Sequence, residues 1–485
     1  MHSIFHRGLA FIAIAGLSSI TSQPAPAARP TNVVFILTDN QGAWTLGCYG
    51  NPDIRTPHID QLATQGIRFT RALSSNPVCS PTRATFLSGL IPSQHGVHCF
   101  LDPKYMIGPE AYNTLDEFDT LGEILKKAGY RCGLSGKWHL GANMTPSEGF
   151  DDLWVTKPDG STKEFTDQLI IENGEVHEVA EYTTSYFTRR GVEFIEKNKD
   201  QPFFLFLAYN GPYALGPLLL HESPNRHAEY YADKDLLCFP RDRMHPWQFN
   251  NLDYHNNPVS MRRVAAEVSG VDDGVGEIMQ TLDRLHLTEN TLVIYTSDQG
   301  WMGGQNGIWG MGDHTRPFGA HDLMMQIPLI FSQPGSISPD QTCDALVSNY
   351  DFLPSVLGYL GLAKDMPTSP PSPGRDFSPA LHGQPLSWTA DNAVFYEFEN
   401  TRCMRGEKWK IVERHPSGPH ELYDMEADPQ ERFNLFGQPG YEEAQAAAQK
   451  RLHAFFDRYA DPKYDVWKGG GSKATLLSSR EPRKK

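Results

Sequence analysis

Three runs constrain the fold of this chain more than anything else in it. Asn32–Thr38 (NVVFILT), Phe203–Tyr209 (FFLFLAY) and Thr291–Thr296 (TLVIYT) are continuously apolar and rich in β-branched and aromatic residues. A strand exposed on one face alternates apolar and polar residues, whereas a strand covered on both faces does not, so these three read as buried parallel strands. Ile327–Phe331 reads as a fourth. Helical segments lie between them. The stretch from Thr56-Pro57 to Gly66 has proline at its start and glycine at its stop. Leu121–Gly129 (LGEILKKAG) is amphipathic and closed by glycine, and Met261–Leu285 has helical spacing. The alternation predicts an α/β fold, with a large mixed, mostly parallel sheet sandwiched by helices. In such sheets ligands bind beyond the carboxyl ends of the strands. Asp39 and Asp298 each follow such an end.

The texture changes near Ala393. VFYEFE, WKIVER and HELYDME mix polar and apolar residues over short runs, as antiparallel strands do, and Tyr441–Tyr459 reads as a helix. We expect a catalytic-size domain over 31–385 and a smaller α+β subdomain with an antiparallel sheet over 386–468. Met366–Gly374 (MPTSPPSPG) reads as a surface loop, and 469–485 as a flexible tail. Residues 1–28 have the three parts of an export signal: His6 and Arg7, the apolar run Leu9–Leu17, and the small-residue site Ala25-Pro26-Ala27. The mature protein is therefore expected in the periplasm or secreted, with no membrane attachment once the signal is gone. A formal charge of −15 argues against a nucleic-acid partner, although a local basic pocket for an anionic substrate remains open. Seven cysteines in 485 residues do not make a disulfide framework. An odd number in an exported chain invites a special role for one of them.

Cys79 is the candidate. In VCSPTRATFLSGL (Val78–Leu90) Pro81 suits the first position of a helix, and the apolar spacing of Ala84, Phe86 and Leu87 continues it to Gly89. Cys79 then lies at a helix N-terminus, where free N–H groups and the positive end of the dipole favour an anion. Arg83, one turn on, reaches back to the same place.

The pattern Cys-x-Pro-x-Arg, followed by Ser88-Gly89-Leu90 and His95-Gly96, resembles the type I sulfatases of the alkaline-phosphatase-like superfamily. So do Gly129-Tyr130 with Gly136-Lys137-Trp138-His139-Leu140-Gly141, the Thr38-Asp39 opening, Ser297-Asp298-Gln299-Gly300, and Glu421-Leu422-Tyr423-Asp424 with Asp428-Pro429. The matches are in order along nearly the whole mature chain. The resemblance implies that a formylglycine-generating or sulfatase-maturing enzyme oxidises Cys79 to formylglycine, an aldehyde, during synthesis. In its hydrated form one hydroxyl attacks the sulfate ester and the other later expels sulfate. The resemblance also implies a calcium ion held by Asp39, Asn40, Asp298 and Gln299, all hard oxygen donors. The family pattern usually has a second aspartate where this chain has Asn40. By the same resemblance Lys137 contacts the sulfate, while His139 and Arg83 steady the formylglycine hydroxyl. Lys137 and His139 are one residue apart and would point to opposite faces of an extended segment. They share a site only if the backbone turns, which Gly136 and Gly141 permit. His95 reads as structural.

Two positions depart from the family pattern. After the FFLFLAY strand, Asn210-Gly211-Pro212-Tyr213 puts Tyr213 where a histidine is usual, and Gly310-Met311-Gly312 puts a methionine where a lysine is usual. Methionine cannot donate a hydrogen bond to sulfate. We therefore expect His314 to protonate the leaving alcohol, with Tyr213 orienting it. The long connection Leu218–Asn257 carries His227, Arg243 and Trp247, which with Arg402 are candidates for contacting a sulfated glycan. Two other readings stay open at this point: a phosphonate or phosphate ester hydrolase of the same superfamily, and a glycan-binding protein without turnover.

Overall fold

The computed structural model describes residues 30–160, 165–388 and 392–479. The expected export signal lies outside the described residues. A ten-stranded sheet runs through the large domain in the order Gln341–Cys343, Ile67–Phe69, Leu329–Ser332, Thr291–Ser297, Asn32–Asp39, Phe203–Pro212, Arg131–Gly136, Leu153–Thr156, Gln168–Glu172, Glu175–Val179. The five central strands, Thr291–Ser297 to Leu153–Thr156, are mutually parallel. Leu329–Ser332 pairs antiparallel on one side, and the last two strands pair antiparallel on the other. The fourth expected strand is split at Pro328, whose missing N–H breaks the ladder. Gln326–Ile327 instead joins a small sheet with Ala72–Leu73 and Val347–Ser348.

The apolar runs do what their lack of alternation predicts. Val34, Ile36, Leu205 and Leu207 pack into one core with the helices Thr183–Asn198 and Pro258–Arg284. Their neighbours Val33, Phe35, Phe204 and Phe206 pack into a second core with Cys79–Ser88, Leu121–Lys127 and Phe352–Tyr359. Both faces of the central strands are thus covered.

The C-terminal sheet is an antiparallel meander of Ala393–Phe398, Thr401–Gly406, Trp409–Arg414 and Glu421–Asp424. The helix Glu442–Tyr459 contributes Ala448, Leu452 and Phe456 to the core beneath it. Its first strand is tied to the large domain close to Cys79: the Glu397 N–H donates to the Ser75 carbonyl at 2.9 Å, and Asn76 Nδ2 donates to the Glu397 carbonyl at 2.7 Å. The stretch 469–479, expected to be flexible, is instead docked. Lys473 N–H donates to the Gly96 carbonyl at 2.7 Å, Ser478 N–H donates to Glu399 at 3.0 Å, and Ala474 is buried. Its small and polar residues read as loop, but backbone donors and one alanine anchor it. Among the described residues no disulfide joins any of the cysteines.

Candidate active site

Four neighbouring parallel strands deliver the site. Asp39 ends the Asn32–Asp39 strand, Asp298 follows Ser297, Lys137 follows Gly136, and Tyr213 follows Pro212. The register pairs Thr38 with Ser297, Asp39 with Pro212, and Gly136 with Ala208. The four carboxyl ends therefore stop at one level, and the residues after them converge.

The Cys79–Ser88 helix enters this level from the sheet's second core. It begins at Cys79 itself, so Pro81 sits at its third position, two residues later than expected. Pro81 is tolerated there because the first-turn N–H groups have no intrahelical partners. Val78 caps it in an extended conformation, and Gly89 ends it at φ +69° as anticipated. Every residue of this helix is buried. Arg83, four residues after Cys79, lies on the same face. Its Nε and Nη2 donate to Asp298 Oδ2 at 3.0 and 2.8 Å, Nη1 donates to the Lys137 carbonyl at 2.6 Å, and Nη2 also lies 3.4 Å from Asp39. Lys137 Nζ donates to Asp39 Oδ2. Two carboxylates and two cations, all buried, thus neutralise one another.

The turn required to bring Lys137 and His139 together is present. His139 is left-handed, at φ +61°, and Gly136 has φ +125°. A Cβ at position 136 would meet the Ala208 carbonyl oxygen at 1.8 Å, so only glycine fits. Trp138 points away, into the core. His139 Nδ1 lies 3.1 Å from Cys79 Sγ, and Nε2 lies 3.4 Å from the Leu101 carbonyl. The carbonyl can only accept, so Nε2 carries the proton and Nδ1 faces Cys79 as an acceptor. Burial, reinforced by Lys137 and Arg83, pushes the His139 pKa well below its ordinary value, so the ring is neutral. Burial pushes the Cys79 thiol up to about 12, with Lys137 opposing it. Burial also works against the charge on Lys137, but Asp39 outweighs it and the pKa ends above the usual range. Asp298 is raised to about 6, chiefly by burial and then by Asp39.

Asn40 and Gln299 complete the floor. Asn40 N–H donates to Asp298 Oδ1 at 3.0 Å, yet neither polar atom of its buried side chain has a partner. Gln299 Oε1 lies 3.5 Å from the Thr82 hydroxyl, and its Nε2 lies 3.5 Å from Asp39 Oδ1. Among the described residues no three His, Cys, Asp or Glu side chains gather as a metal cluster. The oxygen donors here are two carboxylates and two amides.

Tyr213 is half-buried beside Lys137. Its ring centre is 5.5 Å from Lys137 Nζ, and its N–H donates to the Asp39 carbonyl at 3.1 Å. Burial, then Asp39 and Cys79, raise its hydroxyl pKa well above the ordinary tyrosine range, so it remains a donor. Asp313 belongs to the same electrostatic neighbourhood, a residue that the sequence reading passed over. Its carboxylate lies 2.7 Å from His314 Nδ1. Nothing in its spacing distinguishes it from a loop aspartate. Met311 packs into the apolar core and supplies its N–H to His314 Nδ1 at 3.3 Å.

The substrate candidates divide. His227 is paired with Asp273 on the long helix at 2.8 Å, and Arg402 is held by Glu397 and Asp465 while stacked on Phe456 and Trp467. Contrary to expectation, both have their polar edges engaged inside the protein. Arg243 and Trp247 lie on the half of the connection that pairs with 307–316: His245 N–H donates to the Gly307 carbonyl and Phe249 N–H to the His314 carbonyl. His95 is structural as read, bonded to Thr85 and Val97. A cavity of about 460 Å³ lies elsewhere, lined by His321, Arg405 and Glu431 among others, and includes none of the residues above.

The sulfatase family model covers residues 31–362, and a model of the C-terminal part of N-sulphoglucosamine sulphohydrolase covers 316–458. N-acetylglucosamine-6-O-sulfatase of Bacteroides thetaiotaomicron is 24% identical, over 93% of this chain and 90% of its own. The ulvan-active sulfatase of Formosa agariphila is 28% identical, over 89% and 83%. A solved structure of a protein with its substrate D-glucosamine-2-N,6-O-disulfate superposes with a TM-score of 0.70 at 22% identity, covering 89% of this chain and 98% of that one. A family model spanning most of the chain coincides with a buried Cys79–Arg83–Lys137–His139 cluster at the carboxyl edge of the sheet, and the chain belongs to the sulfatase family, the sulfuric ester hydrolases.

Proposed function

We propose that this sulfatase is exported and hydrolyses sulfate esters of a sulfated carbohydrate, using formylglycine made from Cys79 by a maturation enzyme and a calcium ion beside it. The observation that carries the reading is the 3.1 Å approach of Cys79 Sγ to the acceptor nitrogen of a neutral histidine, at a helix N-terminus flanked by a buried lysine. Burial raises the Cys79 thiol to about 12, so the unmodified side chain is a poor nucleophile at neutral pH. The carbohydrate reading draws on the relatives, whose names specify sulfated sugars. Among the described residues no helix is long and apolar enough to cross a membrane.

The hydrated aldehyde supplies two hydroxyls on one carbon, one for attack and one whose deprotonation releases sulfate. His139 Nδ1 is placed to accept a proton from the side chain at position 79, and the Leu101 carbonyl holds that tautomer. Lys137 Nζ has one hydrogen on Asp39 and further hydrogens for sulfate oxygens. Arg83 has Nε, Nη1 and Nη2 all bonded within the site, so it positions the carboxylates and the Lys137 segment. His314, beside Asp313, would give the leaving alcohol its proton. His314→Ala should slow alkyl sulfates about 10²- to 10⁴-fold and activated aryl sulfates far less, because only poor leaving groups need protonation. Equal slowing of both classes sinks this assignment.

Asp39, Asn40, Asp298 and Gln299 would hold the calcium, which when bound supplies positive charge to the sulfate and the nucleophile. The unpartnered, buried Oδ1 of Asn40 supports the fit, since a cation satisfies an acceptor that the protein leaves bare. Calcium at about 100 times its dissociation constant should add about 2.7 kcal/mol to unfolding. Asn40→Asp, which adds a carboxylate, should tighten binding in a calorimetric titration. A melting temperature indifferent to calcium and to chelator overturns the metal assignment. For the reaction itself, the mature protein should turn over an aryl sulfate and leave the matched aryl phosphonate nearly untouched. The opposite preference would replace the sulfatase reading with a phosphonate hydrolase, and turnover of neither would leave a glycan-binding protein.

A further inference from the structure

Arg316 is a charged residue two positions after His314 that neither the sequence pattern nor the reaction uses. It follows Asp313 and His314 on the loop beside the nucleophile, and Gly312 of that loop is so close to Pro77 that a Cβ would meet the proline at 3.0 Å. Its guanidinium stacks between two aromatic rings, 4.4 Å from the centre of Phe249 and 4.5 Å from that of Phe318. Nη1 donates to the Asp313 and Thr315 carbonyls, both at 2.8 Å, which uses both of its hydrogens. The backbone is fixed as well, because Arg316 N–H donates to the Trp247 carbonyl at 2.8 Å.

Among the described residues the opposite edge has no hydrogen-bond partner. Nε and Nη2 have no partner among the described residues, no carboxylate of those residues forms an ion pair with the side chain, and neither nitrogen is sealed from solvent. That edge presents two parallel N–H groups, the fork that matches two oxygens of a carboxylate or sulfate. Burial lowers the Arg316 pKa, with Asp313 the leading opposing influence, as befits a guanidinium short of anionic partners. Phe249 is 53% exposed and supplies an apolar face beside the fork, of the kind on which a sugar ring rests. By contrast the neighbouring arginines 402 and 414 end on internal carboxylates.

We propose that Arg316, backed by Phe249, binds a second anionic group on the sugar whose sulfate is cleaved, and so makes the enzyme selective for doubly anionic sugars. The inference rests on the sulfated-carbohydrate reading above. The second anion is a carboxylate or another sulfate, which share the two-oxygen edge.

The test uses the mature enzyme and four probes: an aryl sulfate, a monosulfated hexosamine, its disulfated counterpart, and a sulfated uronate. The wild type should prefer one or both doubly anionic sugars in kcat/KM. Arg316→Gln should lower the ratio of doubly to singly anionic turnover about 10- to 100-fold, mainly through KM. Arg316→Lys keeps the charge but loses the fork, so it should recover only part of the ratio. Which doubly anionic sugar responds identifies carboxylate or sulfate. Wild-type turnover of the aryl sulfate without preference for a second anion overturns the proposal and leaves the sulfatase reading intact. Equal loss on all sugars in both variants also overturns it, because that marks a structural arginine. No turnover of any sulfate overturns the underlying reading instead.

Discussion

Cys79→Ala should abolish sulfate ester turnover, by about 10⁴- to 10⁶-fold in kcat, while the protein still folds. The residue is small and lies at a helix N-terminus, where its side chain is hydrogen-bonded to His139 Nδ1. Losing the sulfur should change unfolding by about 1 kcal/mol or less. Activity and stability therefore separate, and this distinguishes a nucleophile from a packing residue. Cys79→Ser is the sharper variant. A serine hydroxyl next to His139 Nδ1 can be deprotonated and attack, but a single oxygen on its carbon has no second hydroxyl to expel sulfate. A stoichiometric burst that leaves a sulfated peptide is expected. Mass spectrometry of the Cys79 peptide from the native host should show the aldehyde. A fully active preparation with an unmodified thiol would falsify the nucleophile assignment.

Arg83→Met should destabilise the protein by about 3–5 kcal/mol in chelated buffer, as well as removing activity. Arg83 bridges two fully buried carboxylates, and only Lys137 would then remain against both. Burial already holds Asp298 near 6 with the arginine in place. A second change should reverse part of the loss: Arg83→Met with Asp298→Asn leaves one carboxylate for one lysine. The double variant should therefore be more stable than the single one, a coupling visible in denaturant unfolding. Additive losses would mean that the pair is not the source of the cost.

Much of the architecture could be read directly. The apolar runs identify the central strands because burial on both faces removes polar residues from every position. Gly89 and Gly129 mark helix ends through the backbone conformations they permit, both at positive φ. Short strands were harder: Arg131–Gly136 (RCGLSG) carries Lys137 to the site, but its small residues do not announce a strand. Thr401–Gly406 hides for the opposite reason, with arginines at 402 and 405 that the fold buries in ion pairs. The site residues were legible because the motifs name them in order. Their partnerships were not. His227 and Arg402 read as candidates for contacting a glycan, and only their spatial neighbours Asp273, Glu397 and Asp465 reveal them as paired within the protein.

By itself the sequence determined the parallel sheet, a helix that runs from the Cys79 segment to Gly89, and the residue types at Asp39, Arg83, Lys137, His139 and Asp298, because each is a matter of local pattern. The tertiary structure alone decided how they meet. Asn40 N–H reaches an aspartate 258 residues away, His139 takes a left-handed backbone to face Cys79, and Arg316 is held between two aromatic rings with one edge open. The physical reason is that strand and helix signals are carried by neighbours along the chain. Charge pairing and the direction of a fork depend instead on which loops the sheet's register brings to the same level.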